Sequence, residues 1–475
     1  MTELISTPLS SAHTSAATLN DRGLELLKSR AIKRALICFD QAIALDPNLA
    51  PAHFNRGNTL STMEMFRESI PSYDRALALG LDIAGLHYRR GLALFELGRI
   101  QDALLSYNRA LDLKPNMPMA IYSRGFLQQE TGQLDKAKAN YQRALAQMPN
   151  SPQARLSMGM VCLATGDWRE GWKYYEARWD GSHETRKGRV RHPPTYLPQW
   201  KGERALEKSN LLVFTEQGLG DSLQFGRYLL LAAERFAKVS YCCPAPLVRL
   251  FRASFSPAIE ILDSYPEDQS AWQWQCPIMS LPRAFDTTLE NVPNQIPYLK
   301  VRPKWPEKWH NRLAEVAGDR LKIGLVWSGF KNHKSDAKRS IALSKFAPLL
   351  NQKGIAWVSL QKMDAAKPQV IPSETDGMID WMCEINDFAD TAGLVSQLDL
   401  VISIDTSVAH LAGAMGKPVW MLNRFESEWR WMRDREDSPW YPTRRIFNQT
   451  AAGDWEEVLS RVSTALATFS TSSIK

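Results

Sequence analysis

The sequence predicts an α-solenoid followed by two α/β domains, each built on a parallel β-sheet. Three observations support this fold class: glycines recur every 34 residues through the first 160 residues, short apolar runs alternate with helical patterns beyond residue 210, and all sixteen tryptophans lie at or after Trp168. The chain of 475 residues also exceeds the roughly 250 to 300 residues at which a single hydrophobic core stops growing. We therefore expect two or three domains.

The composition excludes several classes of protein. Hydrophobic residues make up 44% of the chain and charged residues 23%, and no apolar run approaches the roughly 20 residues that would span a bilayer. Residues 1–20 are rich in Ser, Thr and Ala but lack a basic region followed by an apolar core. This disfavours a secretory signal and predicts a disordered leader over residues 1–15. We expect a cytoplasmic protein without membrane insertion.

The six cysteines and the net charge of +7 narrow the range of ligands. The cysteines form no C-x-x-C spacing and no Cys/His cluster, so we expect buried free thiols and not a metal site or a disulfide. The sequence contains no long Lys/Arg block and no recognition-helix motif, so nucleic acid is not an expected partner. The basic charge instead favours local phosphate chemistry.

Residues 16–180 carry the repeats. The recurring glycines are Gly23, Gly57, Gly91, Gly125 and Gly159. The same register holds small residues at Ala42, Ala76, Ala110 and Ala144, and aromatic residues at Phe39, Tyr73, Tyr107, Tyr141 and Tyr175. Small residues let the two helices of a unit approach closely, the aromatic ring fills the gap to the next unit, and a proline ends the second helix. This is the tetratricopeptide-repeat pattern, and it predicts five units.

The last unit and the groove suggest what the repeats do. The fifth unit, residues 151–179, is degenerate, with Gly171 where alanine is usual, and we expect it to cap the stack. Such stacks present a concave groove whose commonest use is to bind a peptide. A polypeptide is therefore the expected partner. The alternative is a solenoid that only spaces or dimerises the rest of the chain.

Residues 181–210 are polar, basic and proline-containing, and they predict a linker. Beyond it, the alternation of strands and helices is typical of βαβ units. We expect one domain over residues 211–305, a second over 306–467 with a closing helix at 454–469, and a disordered tail at 468–475. The predicted elements are 211–215, 221–236, 239–243, 246–255 and 259–262, then 321–327, 343–352, 355–361, 389–397, 398–404, 408–415 and 419–422. Two such sheets create a cleft, and ligands lie at the carboxyl ends of parallel strands.

The first predicted strand runs into a glycine-rich turn, residues 216–221 (EQGLGD). Gly218 and Gly220 permit a close backbone approach to a ligand at the start of a helix. Asp221 is either the N-cap of that helix or a carboxylate directed into the cleft.

The first strand of the second domain ends at residues 327–329, and a basic loop follows at residues 330–340 (FKNHKSDAKRS). Four basic side chains and a histidine in one loop at the carboxyl end of a strand suit a diphosphate. A solvated charged loop is the alternative.

The strongest single element is an apolar strand, residues 398–404, that leads into Asp405, Thr406 and Ser407 at the start of a helix. The free N–H groups of the helix and the positive end of its dipole would point into the cleft, where phosphate oxygens are the natural occupant. His410 stands about one turn into this helix and could reach the same ligand. The alternative is a core histidine.

Together these motifs resemble those of bacterial tetratricopeptide-repeat glycosyltransferases whose catalytic part has the GT-B fold of two Rossmann-like domains. The chain is similar to lipopolysaccharide heptosyltransferases and, more distantly, to O-linked N-acetylglucosamine transferase, from about residue 16 to residue 449. The motifs that carry the resemblance are residues 216–221, 280–282, 327–329 with the basic loop to 340, 359–361, 405–414, 429–431 and 438–442.

The resemblance implies that the second domain binds a nucleotide-activated sugar. The residues it places at the donor and its diphosphate are Gly218, Gly220, Ser328, Lys338, Arg339, Gln361, Asp405, Thr406, Ser407 and His410. Asp221 matches the aspartate proposed as general base in heptosyltransferases. The resemblance also implies inversion at the anomeric carbon, with the nucleotide sugar as substrate and no cofactor or metal ion.

One departure from the family pattern affects which residue can act as the general base. Relatives often carry a histidine before the motif at residues 280–282, whereas residues 272–277 (WQWQCP) contain none, so the assignment of the base falls on Asp221 or activity is lost. The leading expectation is a glycosyltransferase that modifies flagellin or another surface protein captured by the solenoid. The alternatives are a non-catalytic repeat scaffold and a glycosyltransferase for glycans or lipids.

Overall fold

The computed structural model describes residues 15–182, 195–204, 207–329, 336–362 and 377–472. Residues 1–14 of the predicted leader and parts of the predicted linker, the basic loop and the tail lie outside these ranges. The chain divides into two compact units, Met1–Arg155 and Leu156–Lys475.

The first unit is a stack of helix pairs in the predicted register. Its helices are α1 Ala16–Lys28, α2 Ile32–Leu45, α3 Ala50–Thr62, α4 Phe66–Ala78, α5 Ala84–Glu96, α6 Ile100–Leu113, α7 Pro118–Glu130 and α8 Leu134–Gln147. A further helix, α9 at Pro152–Ala164, begins just before the boundary between the units. The solenoid that the 34-residue period predicts is thus confirmed.

The periodic glycines accommodate the periodic aromatic rings. A Cβ atom on Gly57 would lie 2.7 Å from Cε1 of Tyr73, and one on Gly91 would lie 2.5 Å from Cε1 of Tyr107. Both rings are fully buried. In the first four units each aromatic side chain therefore fills a notch within its own unit, where we had expected it to fill the gap to the next unit.

A second 34-residue period appears where the first helix of each unit ends. Arg30, Glu64, Gly98, Gly132 and Gly166 all have positive φ angles, between 60° and 88°. This left-handed residue lets the chain close a helix C-terminus with a backbone hydrogen bond from the residue after it, as the N–H that follows Gly98 does at 2.9 Å. The sequence analysis missed this period because two of the five residues are not glycine.

Arginines at one repeat position tie consecutive helices together. Each one bonds a residue 16 positions before it and another 16 positions after it. The pairs are Arg56 with Asp40 and Ser72, Arg90 with Asp74 and Ser106, and Arg124 with Asn108 and Asn140. This ladder holds the register of neighbouring units by side-chain bonds as well as by packing.

The second unit contains two parallel sheets. The first sheet has the strand order β3-β2-β1-β4 and the second the order β6-β5-β7-β8-β9. The strands are β1 Asn210–Phe214, β2 Lys238–Cys242, β3 Ile259–Leu262, β4 Trp274–Pro277, β5 Leu321–Val326, β6 Ile355–Ser359, β7 Leu400–Ile404, β8 Val419–Asn423 and β9 Arg444–Asn448. Every ladder is parallel, which confirms the predicted α/β class of this region.

Helices surround both sheets. After α9 they are α10 Trp168–Tyr175, α11 Arg178–Gly181, α12 Leu219–Phe225, α13 Arg227–Ala233, α14 Val248–Phe255, α15 Leu281–Ala284, α16 Lys304–Ala317, α17 Asp336–Arg339, α18 Ala347–Leu350, α19 Phe388–Ser396, α20 Ser407–Ala414 and α21 Trp455–Ser472. The helix predicted at 221–236 is two helices that meet at Gly226, and the closing helix extends to Ser472, into the predicted tail. β4, β9 and α16 were not predicted.

The predicted fifth repeat belongs to the second unit. The ring of Trp168 on α10 stacks on Trp440 at 5.0 Å between centroids, and Trp172 packs against Phe225 and Trp429. The division between the compact units falls after Arg155, within the predicted repeat region of residues 16–180. The cap is the start of the α/β unit because its tryptophans complete that unit's core.

The described part of the predicted linker also packs onto the first sheet. Trp200 is fully buried, and Gln199 forms a parallel bridge with Gln275 on β4. Residues 195–204 are therefore part of the α/β unit and not a free connection.

Candidate functional site

The strand orders create two switch points in the second unit. One switch point lies between the neighbouring strands β1 and β4, and the other lies between β5 and β7. Ligands of doubly wound sheets bind at such points, outside the carboxyl ends of the strands. The predicted loops at 216–221, 327–329 and 405–407 follow β1, β5 and β7, so each begins at a switch point.

The loop after β1 reaches the helix after β7. Gly218 is the N-cap of α12, and Gly220 lies in its first turn. A Cβ atom on Gly220 would stand 3.1 Å from Cδ2 of His410 and 3.7 Å from the Cα of Ser407. Glycine is thus needed here for the contact between α12 and α20, since any larger residue would press on the histidine ring.

Asp221 is not the N-cap of its helix, but both of its carboxylate oxygens are bound. Oδ2 accepts a hydrogen bond of 2.8 Å from the backbone N–H of Gly218. Oδ1 accepts a hydrogen bond from a guanidinium nitrogen of Arg430. The side chain remains 15% exposed, so the predicted base lies at the surface of the site but is paired with a cation.

Arg430 is the residue that sequence reasoning missed at this site. Its guanidinium donates to Asp221, to Glu428 and, at 2.9 Å, to Oε1 of Gln224, and it lies over the ring of Trp429. Burial opposes its charge, but Glu428 and Asp221 hold the pKa of Arg430 above its usual value. The motif at 429–431 is among those that carry the resemblance, so the arginine between its two tryptophans was a signal available in the sequence.

The loop after β5 is held by an amide. Oε1 of Gln361, which is buried, accepts a hydrogen bond of 2.9 Å from the backbone N–H of Ser328. Ser340 accepts a hydrogen bond of 3.1 Å from the N–H of Gly329. Residues 330–335 of the predicted basic loop lie outside the described residues.

The two cations predicted from that loop have different partners. Arg339 donates to the carbonyl oxygen of Asp405 at 2.9 Å, which joins the loop after β5 to the loop after β7. Lys338 forms an ion pair of 3.0 Å with Glu426. Arg339 is therefore at the switch point, and Lys338 contacts the loop that follows β8.

The loop after β7 presents a helix N-terminus. Thr406 is the N-cap of α20, but its side chain makes no capping bond to the helix; its hydroxyl pairs with that of Ser403 at 3.0 Å instead. Ser407 opens the helix, and the Asp405 side chain is 25% exposed. The first N–H groups of α20 thus have no side-chain cap, which leaves their positive partial charge for an anion.

His410 is a buried residue between these loops. Its Nδ1 lies 2.9 Å from the hydroxyl of Tyr441, and its Nε2 lies 3.9 Å from a carboxylate oxygen of Asp405. Burial, together with Arg444, Arg430 and Arg227, lowers the pKa of His410 well below its usual value of 6.5. The imidazole is therefore neutral at pH 7, and it combines the two alternatives considered from sequence: it is buried in the core and borders the site.

A second ionic cluster joins two of the predicted motifs. Arg178 on α11 bonds both carboxylate oxygens of Glu216, at 2.7 and 2.8 Å, and the hydroxyl of Ser280 at 2.7 Å. Burial raises the pKa of Glu216, while Arg178 opposes that rise. Both charged side chains are at most 2% exposed. This cluster fixes the start of the 216–221 turn, so the motif glutamate positions the loop and does not face the site.

Two negative findings concern the described residues alone. Within them, no group of three or more His, Cys, Asp or Glu side chains is arranged to hold a metal ion. Nor does any helix in the described ranges have the length and apolar character needed to cross a membrane.

The repeats match a known family of repeated helix pairs. The tetratricopeptide-repeat family model matches residues 54–118 and 122–178, so this part of the chain contains tetratricopeptide repeats.

A relative extends the similarity beyond the repeats. Protein FlbA of Caulobacter vibrioides (strain ATCC 19089 / CIP 103742 / CB 15) is 29% identical over 334 residues, which cover 65% of this chain and 54% of FlbA. The chain thus spans about half the length of the relative it matches.

Solved structures resemble the repeats. YrrB, a TPR protein with an unusual peptide-binding site, is 24% identical over 37% of this chain and 91% of its own, with a TM-score of 0.33. MamA is 22% identical over 38% of this chain and 99% of its own, with a TM-score of 0.33. The first TPR of Spaghetti (RPAP3), bound to an HSP90 peptide, is 24% identical over 26% of this chain and 96% of its own, with a TM-score of 0.25.

Proposed function

We propose that this chain is a glycosyltransferase that transfers a sugar from a nucleotide-sugar donor to a polypeptide held by the repeats. The observation that carries the proposal is the meeting of both switch points: Gly220, after β1, lies against His410, after β7. A cleft lined by the carboxyl ends of two doubly wound sheets is a favourable place for a nucleotide and a second substrate to meet. GT-B enzymes, which the chain resembles, have the same arrangement of two sheets.

The donor diphosphate is proposed to bind at the start of α20. The N–H groups at that helix terminus have no side-chain cap, and Arg339 is anchored on the carbonyl of Asp405 beside it. A helix N-terminus and a guanidinium both favour phosphate oxygens. The neutral imidazole of His410 can donate or accept a hydrogen bond at the same place without adding charge.

The proposed reaction is a displacement at the anomeric carbon. A hydroxyl or amide group of the acceptor attacks this carbon and forms the new glycosidic bond, while its proton passes to the carboxylate of Asp221. The bond from the anomeric carbon to the diphosphate breaks, and the nucleoside diphosphate leaves with the electron pair. The helix N-terminus and the cationic side chains stabilise that negative charge. Attack from the face opposite the leaving group inverts the anomeric centre.

The acceptor is proposed to lie in the groove of the repeat stack, with flagellin as the first protein to test. Stacked helix pairs of this type expose a continuous concave surface suited to an extended segment. A cytoplasmic location, where nucleotide sugars are available, is part of the proposal.

The test is a transfer assay with intact-mass spectrometry. The purified chain is incubated with an acceptor protein and a panel of UDP-, GDP-, CDP- and ADP-linked sugars. We expect the acceptor to gain the mass of a sugar, and Asp221→Asn to lower the initial rate by about 10²- to 10⁴-fold. Asp286→Asn is the matched control, because Asp286 is an exposed aspartate paired with Arg169. Absence of transfer and of nucleotide binding across the panel would refute the proposal.

The second candidate function is a non-catalytic scaffold. The contacts of Asp221 favour it, since both carboxylate oxygens are already bound, one by the N–H of Gly218 and the other by the guanidinium of Arg430. A scaffold would bind its polypeptide partner without turnover, and Asp221→Asn would leave that binding unchanged.

A further inference from the structure

The guanidinium of Arg430 is shared by more carboxylates than it can neutralise. Asp221 and Glu428 both accept hydrogen bonds from it, and Gln224 accepts a third. Burial raises the pKa of Glu428, Arg430 opposes that rise, and Asp405 adds to it. One cation therefore serves two carboxylates, with a third carboxylate within electrostatic reach.

The contacts of Arg430 differ from those of its buried arginine neighbours. Arg227 donates to the backbone carbonyls of Gln224, Pro293 and Trp440 and to the hydroxyl of Tyr298. Arg444 donates to the carbonyl of Ala409 and to the sulfur of Met421, and burial lowers its pKa to about 10. By contrast, two of the acceptors of Arg430 are carboxylates, and the Arg430 side chain is 10% exposed.

We propose that Arg430 is a phosphate-binding residue of this site and that Asp221 and the donor diphosphate compete for its guanidinium. This inference rests on the proposed function. A guanidinium matches the oxygens of a phosphate as well as those of a carboxylate, and both pairs form charge-assisted bonds. Arg430 is near enough to His410 to lower the pKa of its imidazole, so it lies on the same side of the site as the start of α20.

The competition links binding of the donor diphosphate to the contact between Asp221 and the acceptor. The ion pair between Arg430 and Asp221 holds α12, beside the first sheet, against the 429–431 segment that follows β8. When a diphosphate takes the guanidinium, the carboxylate of Asp221 keeps its bond to the N–H of Gly218 but loses its cation. Its Oδ1 is then available to the hydroxyl or amide group of the acceptor, at the time when the donor is in place.

Calorimetric titration of the full chain tests the competition. The probes are UDP, GDP, CDP, ADP and inorganic pyrophosphate. We expect Asp221→Asn to bind the best of these probes about tenfold more tightly than the wild type, because the competing carboxylate is gone. Arg430→Lys should bind it about tenfold more weakly, because an ammonium cannot form the bidentate pair. Asp286→Asn controls for the loss of one negative charge at a remote, exposed ion pair.

The double variant Asp221→Asn with Arg430→Lys distinguishes competition for the guanidinium from electrostatic repulsion of the phosphate by the carboxylate. If Asp221 acts through Arg430, the gain from Asp221→Asn disappears in the Arg430→Lys background. A gain that persists in that background, or unchanged binding by Asp221→Asn, overturns the inference and leaves the proposed function standing. If no probe binds the wild type or any variant, the donor site itself is refuted, and the proposed function fails with the inference. Thermal unfolding of each variant checks that it is folded.

Discussion

Two glycines of helix α5 have opposite surroundings at the scale of single atoms. A Cβ on Gly91 would lie 2.5 Å from the ring of Tyr107, whereas a Cβ on Gly85 would meet nothing within 4 Å. Only the first belongs to the 34-residue period. The sequence thus identified the glycine that packing requires, because the requirement recurs in every unit.

These two glycines give a matched prediction. Gly91→Ala should lower the free energy of unfolding by about 1 to 3 kcal/mol, because the new methyl group overpacks a buried contact. Gly85→Ala should raise it by up to about 1 kcal/mol, because alanine loses less conformational freedom than glycine on folding into a helix. Urea unfolding followed by circular dichroism measures both. Equal effects of the two substitutions would contradict the packing explanation.

His410 makes stability depend on pH. Its pKa in the folded chain lies well below the 6.5 of an exposed histidine, because of burial and then of Arg444, Arg430 and Arg227. As the pH falls below 6.5, the unfolded chain therefore takes up the proton first, and the folded state loses stability. Above that pH the residue makes no pH-dependent contribution.

The expected result is a difference in slope between the wild type and His410→Asn. From pH 6.5 downward, the unfolding free energy of the wild type should fall more steeply than that of the variant, by up to about 1.4 kcal/mol per pH unit. Denaturant unfolding at several pH values measures this. Parallel curves would show that the imidazole is protonated in the folded chain.

At the scale of elements, α10 belongs to the tetratricopeptide-repeat match and also packs with the core of the sheets. Its Trp172 contacts the rings of Phe225, Trp429 and Trp440, and its indole N–H donates to the carbonyl of Thr287 at 3.0 Å. The periodic Gly159 and Tyr175 had marked this helix as part of a fifth repeat. The pattern was right about the local helix pair, but the large side chains on α10 pack with the sheets.

Replacement of Trp172 tests how much α10 contributes to the stability of the second unit. Trp172→Ala should lower the stability of that unit by about 3 to 5 kcal/mol, as expected for a large buried aromatic side chain. Lys173→Ala on the same helix is the control, because its ion pair with Glu170 is about half exposed and should contribute less than about 1 kcal/mol. Differential scanning calorimetry compares the two variants. Similar transitions would mean that α10 is not part of the core.

At the scale of the whole molecule, the boundary between units determines where the chain can be cut. Removal of residues 1–180 would delete α10 and Arg178, and it would leave the carboxylate of Glu216 buried without its cation. A buried ion pair that loses one partner costs about 3 to 5 kcal/mol. A cut before α9 preserves both.

We therefore expect a chain that begins at residue 150 to keep a cooperative thermal transition, and a chain that begins at residue 181 to lose it. Calorimetry and limited proteolysis distinguish the two. A cooperative transition in both chains would show that the sheets fold without α10 and Arg178. The longer fragment is also the appropriate form in which to ask whether transfer to a polypeptide depends on the repeats.

The sequence by itself determined the solenoid, the parallel sheets and the positions of the three loops at the carboxyl ends of β1, β5 and β7. These features rest on short-range rules, namely the 34-residue period, the alternation of apolar runs and the glycines of turns, and such rules are written in neighbouring residues. Tertiary structure decided the rest. Arg430 pairs with Asp221, Arg178 with Glu216, and Trp168 with Trp440, and in each case the partners are far apart along the chain. Charge and ring contacts of this kind depend on which surfaces the folded sheets bring together, and no local pattern encodes them.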